Sequence, residues 1–168
     1  MSLIFALMLL TADMGDWLVF DETDNFTGVR RISAVAGPET DPLKNKPSLF
    51  MQCQADKSVT LMLFQSAETR GFGVGKKPVY LTFGGSESTG SVDPQFWNSD
   101  DSTLKYAGSQ IGQLVDLANT AGKMAVEILT DNGKVTVQFE MNGTKETYDY
   151  LVKNCPAAID SEEKNKGG

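Results

Sequence analysis

The 168-residue chain contains no histidine, and that absence removes several mechanisms at once. Histidine is the commonest protein metal ligand and the side chain whose ordinary pKa lies nearest neutrality. Ser-His-Asp and Cys-His catalysis are therefore excluded. Zinc would have to be held by Cys53, Cys155 and carboxylates, a poor match to the usual structural sites. We accordingly expect no metal and no cofactor. Basic residues are few as well: 15 Lys plus Arg stand against 22 Asp plus Glu, for a net charge of -7. No basic stripe is longer than the pairs Arg30-Arg31 and Lys76-Lys77. Phosphate backbones bind through clustered Lys and Arg, so nucleic acid is excluded as a partner and anionic lipid would be repelled. The longest apolar run, Leu3 to Leu10, falls far short of the roughly 20 residues needed to span a bilayer, so stable membrane insertion of the mature domain is not expected.

What is present suits one globular domain. With 40% hydrophobic and 22% charged residues, a chain of this length can build a real core without a metal or a repeat array. The apolar start resembles the h-region of a signal peptide, and the small residues Thr11 and Ala12 place a cleavage point after Ala12. The alternative is a native apolar strand or helix packed on the domain. On the first reading, residues 1–12 are a signal-peptide remnant, 13–155 a single domain and 156–168 a polar tail. Two distant cysteines, Cys53 and Cys155, fit an exported protein with one bridge, since oxidising compartments stabilise disulfides. Two buried free thiols are the competing reading.

Strands are expected at Leu18–Phe20, about Thr27–Val35, Leu49–Cys53, Val59–Phe64 and Pro78–Phe83. The turn Gln54-Ala55-Asp56-Lys57 makes the third and fourth of these a hairpin. Gly71, Gly73 and Gly75 form a connection, and Gly84 to Pro94 a long loop leading to Phe96-Trp97. Ile111, Leu114, Val115 and Ala118 recur at i, i+3, i+4 and i+7, predicting a helix from Ser109, its N-cap, to Ala121, stopped by Gly122. Asp131-Asn132-Gly133 joins Met124–Leu129 to Val135–Phe139 as a second hairpin. A second helix, capped by Thr144, carries Tyr148, Leu151, Val152 and Cys155 on its apolar face and ends at Pro156. Cys155 thus points at the core, toward the strand cysteine Cys53. Strands and helices are segregated, which predicts an α+β fold: a mostly antiparallel sheet or β-sandwich with one or two covering helices.

Several motifs fail on inspection. Gly71 to Lys77 looks like a phosphate loop, yet Arg70 stands where Walker A needs its first glycine and Lys77 where it needs Ser or Thr. Asp21, Thr23 and Asn25 are spaced like calcium ligands, but Phe26 replaces the turn glycine and Ile32 the bidentate glutamate. Asn25-Phe26-Thr27 and Asn142-Gly143-Thr144 match the glycosylation acceptor pattern, which matters only in a eukaryotic secretory host. Asp100 and Asp101, beside Trp97 and Tyr106, come nearest to a sugar site, because aromatic faces stack on sugars and carboxylates accept their hydroxyls. Trp97 next to Phe96 also reads as plain core.

The order of landmarks resembles the TagO/VasI group of type VI secretion accessory proteins. The pieces are Trp17 with Asp24, Leu49-Phe50-Met51-Gln52-Cys53, Val59-Thr60, Pro78 to Phe83, Phe96-Trp97-Asn98-Ser99, the helix around Leu114, and Val137 to Gly143 running into a helix that ends at Cys155. The chain departs from that pattern in lacking an arginine before Cys53 and an aromatic after Cys155, and in Leu81-Thr82 where a charged pair is usual. The resemblance implies a bacterial envelope protein without catalytic activity. The leading expectation is therefore a periplasmic or secreted, non-enzymatic binding module whose partner is cell-wall glycan or an envelope protein. The alternative is a small exported inhibitor or immunity protein that blocks an enzyme with its acidic loops, notably Gly84 to Asp101. A carboxylate-dependent hydrolase stands third, with Asp100 and Asp101 its nameable candidates.

Overall fold

Alternation of apolar and polar residues governs most of the chain, and it is realised as strands that bury one face. The computed structural model describes residues 10–24, 28–37, 47–64, 72–84, 88–91, 95–100, 102–106, 108–130 and 133–156. The first strands are β1 (Leu10–Met14), β2 (Trp17–Thr23), β3 (Arg30–Ala36), β4 (Ser48–Cys53), β5 (Val59–Phe64) and β6 (Val74–Gly84). They are followed by β7 (Ser88–Ser91), β8 (Gln95–Asp100) and β9 (Thr103–Tyr106). Helix α1 (Ile111–Ala121), the hairpin β10 (Lys123–Thr130) and β11 (Gly133–Glu140), and helix α2 (Thr144–Asn154) complete the described order. All the strands belong to one sheet, ordered β1-β2-β3-β4-β5-β9-β8-β6-β10-β11, with β7 paired to β6. Every pairing is antiparallel. The result is an α+β fold in which both helices lie on the inner face, α2 against β1 to β5 and α1 against β5, β6 and β10. No helix among the described residues is long and apolar enough to cross a membrane.

Helix α1 follows its period closely: Ile111, Leu114, Val115 and Ala118 are buried, and Gly122 ends it at φ 70°, its N–H on the Ala118 carbonyl. Its start differs from expectation. Gln110, not Ser109, is the N-cap and makes no side-chain cap bond; the first turn closes through its carbonyl, which accepts from the Gln113 N–H at 3.1 Å. In α2 the buried stripe is Thr144, Thr147 and Leu151, which leaves Val152, about 100° round the helix from Leu151, 49% exposed. The Gly84–Pro94 stretch is not one loop, because it contains β7, whose Ser91 pairs with Thr82, and the glycine connection gives way to β6 already at Val74. Phe96 and Trp97 belong to β8. The expected cleavage point after Ala12 falls inside β1, which pairs with β2. Met1 to Leu3 and the rest of 1–9, the Asn25-Phe26-Thr27 acceptor, Gly71, the Asp131-Asn132 turn and the tail beyond Pro156 lie outside the described residues.

Cys53 ends β4 on the inner face and Cys155 follows the last turn of α2; they form a disulfide across 102 residues, with Cα atoms 5.5 Å apart. A second tie lies beyond the opposite end of α2. The turn after β1 and the turn after β11 meet backbone to backbone: the Asp16 N–H donates to the Asn142 carbonyl at 3.0 Å, and the Asn142 N–H and side-chain amide both donate to the Asp16 carboxylate at 2.9 Å. The sheet therefore curls until its two outermost hairpins touch. Beneath that clasp, the fully buried Trp17 donates its indole N–H to the Thr144 hydroxyl at 2.9 Å, and that hydroxyl donates to the Met141 carbonyl. Thr144 thus spends its oxygen on the core rather than on capping the helix, whose N-cap is Gly143. Thr144→Val keeps the shape but strands the indole N–H, and should cost about 1–3 kcal/mol. Thr144→Ser should recover most of it, as read from urea unfolding midpoints.

Candidate functional site

Four neighbouring residues, Trp97, Asp100, Asp101 and Tyr106, form the candidate contact site in the sequence, and the sheet sets Trp97 and Tyr106 on one face and Asp100 on the other. Along β8, Trp97 and Ser99 are buried, while Phe96, Asn98 and Asp100 are exposed. Trp97 is 0% exposed and lies edge-on to Tyr106, its partner in the β8–β9 register, with ring centroids 5.8 Å apart. The Tyr106 hydroxyl donates to Gln95 Oε1 at 3.2 Å, and burial pushes its phenol pKa up. Gly108 makes room for that ring, since a Cβ there would sit 2.2 Å from the phenol oxygen. Both rings belong to the core, and Trp97 in particular offers no face to a sugar. Among the described residues Trp97 Nε1 has no hydrogen-bond partner.

Asp100 does reach the outer face, but its carboxylate serves its own turn. It accepts from the Thr103 N–H at 2.7 Å and from the Ser102 N–H and hydroxyl at 3.2 Å each. These bonds, the Thr103 amide foremost, hold its carboxyl below the ordinary aspartate range. A carboxylate held ionised in this way does not suit the role of a general acid. Asp101 lies outside the described residues. No group of three or more Cys, Asp or Glu among the described residues is placed to hold a metal ion.

The outer face of the sheet carries what the two buried rings do not. Cross-strand registers place Pro78 opposite Phe96, and Lys76, Asn98, Lys105 and Met62 in one continuous row beside that pair. Tyr80 lies opposite Glu127 on β10. Phe96 is 50% exposed, Leu129 51%, and Tyr80 and Phe64 38% each. Phe64 packs on Phe50 with ring centroids 4.5 Å apart, and the Lys76 ammonium lies 4.9 Å from the centroid of the Phe96 ring. A cation so placed orients the ring and leaves part of its π face to solvent. Lys105 reaches Gln54 Oε1 at 3.2 Å, and the row that holds it and Lys76 lies between Phe96 and Phe64 on an otherwise acidic protein. Physically this is an amphipathic surface of separate rings and cations. The signal for it is the period of two in Gln95-Phe96-Trp97-Asn98-Ser99-Asp100: once Trp97 is assigned inward, Phe96 must face out.

No family model and no curated protein matches the chain. Among solved structures, that of invasion associated protein B from Bartonella henselae is similar, with a TM-score of 0.52 at 14% identity over 84% of this chain and 94% of that one. The likeness is one of fold.

Proposed function

We propose that this protein is an exported, disulfide-bonded binding module of the bacterial envelope that works by contact and without turnover. The observation that carries the reading is the exposed Phe96 ring on the outer face, with Lys76 over it and the exposed Tyr80 two residues beyond its partner Pro78. Phe96, Tyr80 and Phe64 present faces and edges that stack on sugar C–H groups, while Lys76 and Lys105 supply cations for carboxylates on the peptides of a cell wall. The Cys53–Cys155 bond supports export, because such bonds persist in oxidising compartments. The resemblance to TagO/VasI secretion accessory proteins supports an envelope role with cell-wall glycan as ligand, or a secretion component as partner.

Co-sedimentation with intact peptidoglycan sacculi at low and moderate salt tests this directly. Binding should persist at moderate salt, and Phe96→Ala should weaken it about tenfold, close to 1.4 kcal/mol. Trp97→Phe, inside the core, should leave affinity unchanged. Absence of sedimentation at either salt would overturn the glycan reading, and capture of envelope proteins on the immobilised domain would then test the same face for a protein partner.

A further inference from the structure

The two edges of the sheet are unlike. At one, the pairing of β1 is interrupted by a register shift between Leu10 and Ala12. At the other, β11 pairs with β10 without interruption from Lys123↔Glu140 to Thr130↔Gly133, and among the described residues no strand pairs with its outer side. Natural sheets usually blunt such an edge with a proline, a bulge or an inward-pointing charge. In β11 the inward positions are Val135, Val137 and Phe139, with both valines only half-buried, and the strand has no proline. A regular edge without a bulge or proline is a template for another strand, and its charges, Lys134 and Glu140, select which one.

The sequence of β11 also says which strand fits. Around Val137 it is chemically self-complementary when read in opposite directions. With a two-fold axis at Val137, Lys134 falls opposite Glu140 of a second copy, Thr136 opposite Gln138, and Val135 opposite Phe139. Charges and polar groups then share the outer face, and apolar groups the inner one. Within each copy Lys123 pairs with Glu140 at 3.0 Å and Lys134 pairs with Glu127. Across the axis these become one ladder of alternating sign: Lys123, Glu140, then Lys134 and Glu127 of the second copy. A parallel in-register pairing would set Lys134 beside Lys134, and a two-residue slip would leave both charges without an opposite. We propose that two copies associate through β11 in this antiparallel register, joining their sheets across a two-fold axis.

Sedimentation equilibrium over a wide concentration range should show a species of twice the 18.2 kDa chain mass, weakening as salt is raised. Lys134→Glu sets carboxylates opposite each other at both ends of the strand pair and should weaken association roughly tenfold or more. Reversing all four charges (Lys123→Glu, Glu127→Lys, Lys134→Glu and Glu140→Lys) should restore it. Far-ultraviolet circular dichroism confirms that each variant keeps its fold. The register has its own readout: under mild oxidation Val137→Cys, which faces itself across the axis, should cross-link copies efficiently, whereas Thr136→Cys, which faces Gln138, should not. A monomer at every concentration overturns the proposal, as does a dimer indifferent to Lys134→Glu, or equal cross-linking from both positions. A monomer whose β11 binds an extended peptide instead also overturns it, in favour of a foreign strand.

Discussion

Replacing Cys53 and Cys155 together by alanine should lower the free energy of unfolding by about 3–5 kcal/mol. The bond closes a loop of 102 residues, and in the chain-entropy model a loop near that length is worth about 4.7 kcal/mol, with measured losses for native bridges usually about 2–5. Geometry favours the upper part of that range, because the bond anchors the last turn of α2 where packing is thinnest: Val152 and Lys153 are exposed there, and Leu151 is the last fully buried residue of the helix. The check is urea unfolding of oxidised wild type against the double variant. A drop in midpoint with an unchanged m-value would mean lost stability alone, while a smaller m-value would mean that α2 has already detached in the variant's native state. Thiol counting on the unfolded, unreduced wild type should find none free.

Gly143→Ala should be at least as damaging, at about 4 kcal/mol or more, and should give little folded protein. The residue sits at φ 78°, and a Cβ there would lie 2.2 Å from the Met14 carbonyl oxygen and 2.7 Å from its carbon. Across the clasp Gly15 sits at φ 68°, and its Cβ would come 2.5 Å from the Asn142 carbonyl oxygen. Neither neighbour can swing aside, since both are backbone held by the Asp16–Asn142 hydrogen bonds. Gly28 is the control: its φ of 71° is nearly the same, but nothing lies within 4 Å of its Cβ position. Gly28→Ala should therefore show the conformational cost alone, about 1 kcal/mol. The difference between the two variants, measured by thermal or urea unfolding, isolates the close approach of two turns. Equal effects would mean that the clasp opens at little cost.

Local patterning made much of this fold readable. Val59–Phe64 is a strand with those limits because its apolar run is bounded by turn residues, and Ile111, Leu114, Val115 and Ala118 fixed the inward stripe of α1. The pairing of Cys53 with Cys155 followed from placing both side chains on core-facing positions. The strands β8 and β9 were harder, because Asn98-Ser99-Asp100 and Ser102 have the composition of a loop, and only burial of Trp97, Ser99, Leu104 and Tyr106 between neighbours makes them strands. Val152 misled because a helix docked on a curved sheet buries a narrower stripe than its period allows. For the contact surface, the largest ring drew the reading to Trp97, whereas the exposed ring is its neighbour Phe96. The clasp had no local signal at all: Asn-Gly at 142–143 reads as an ordinary turn, and nothing in it announces a partner more than 120 residues away.

That clasp bears on the order in which the molecule can come together. Trp17 meets Thr144 across 127 positions, Asp16 meets Asn142 across 126, and Cys53 meets Cys155 across 102. The first hairpin pairs locally with β3, but its ties to the far end wait until nearly the whole chain exists, and contacts of such span form slowly because the intervening chain must first be confined. Until then β1 to β5 form an open meander of neighbouring strands whose inner face lacks the cover of α2. The last dozen residues before Pro156, by supplying Thr144 and Cys155, turn that open sheet into a covered body.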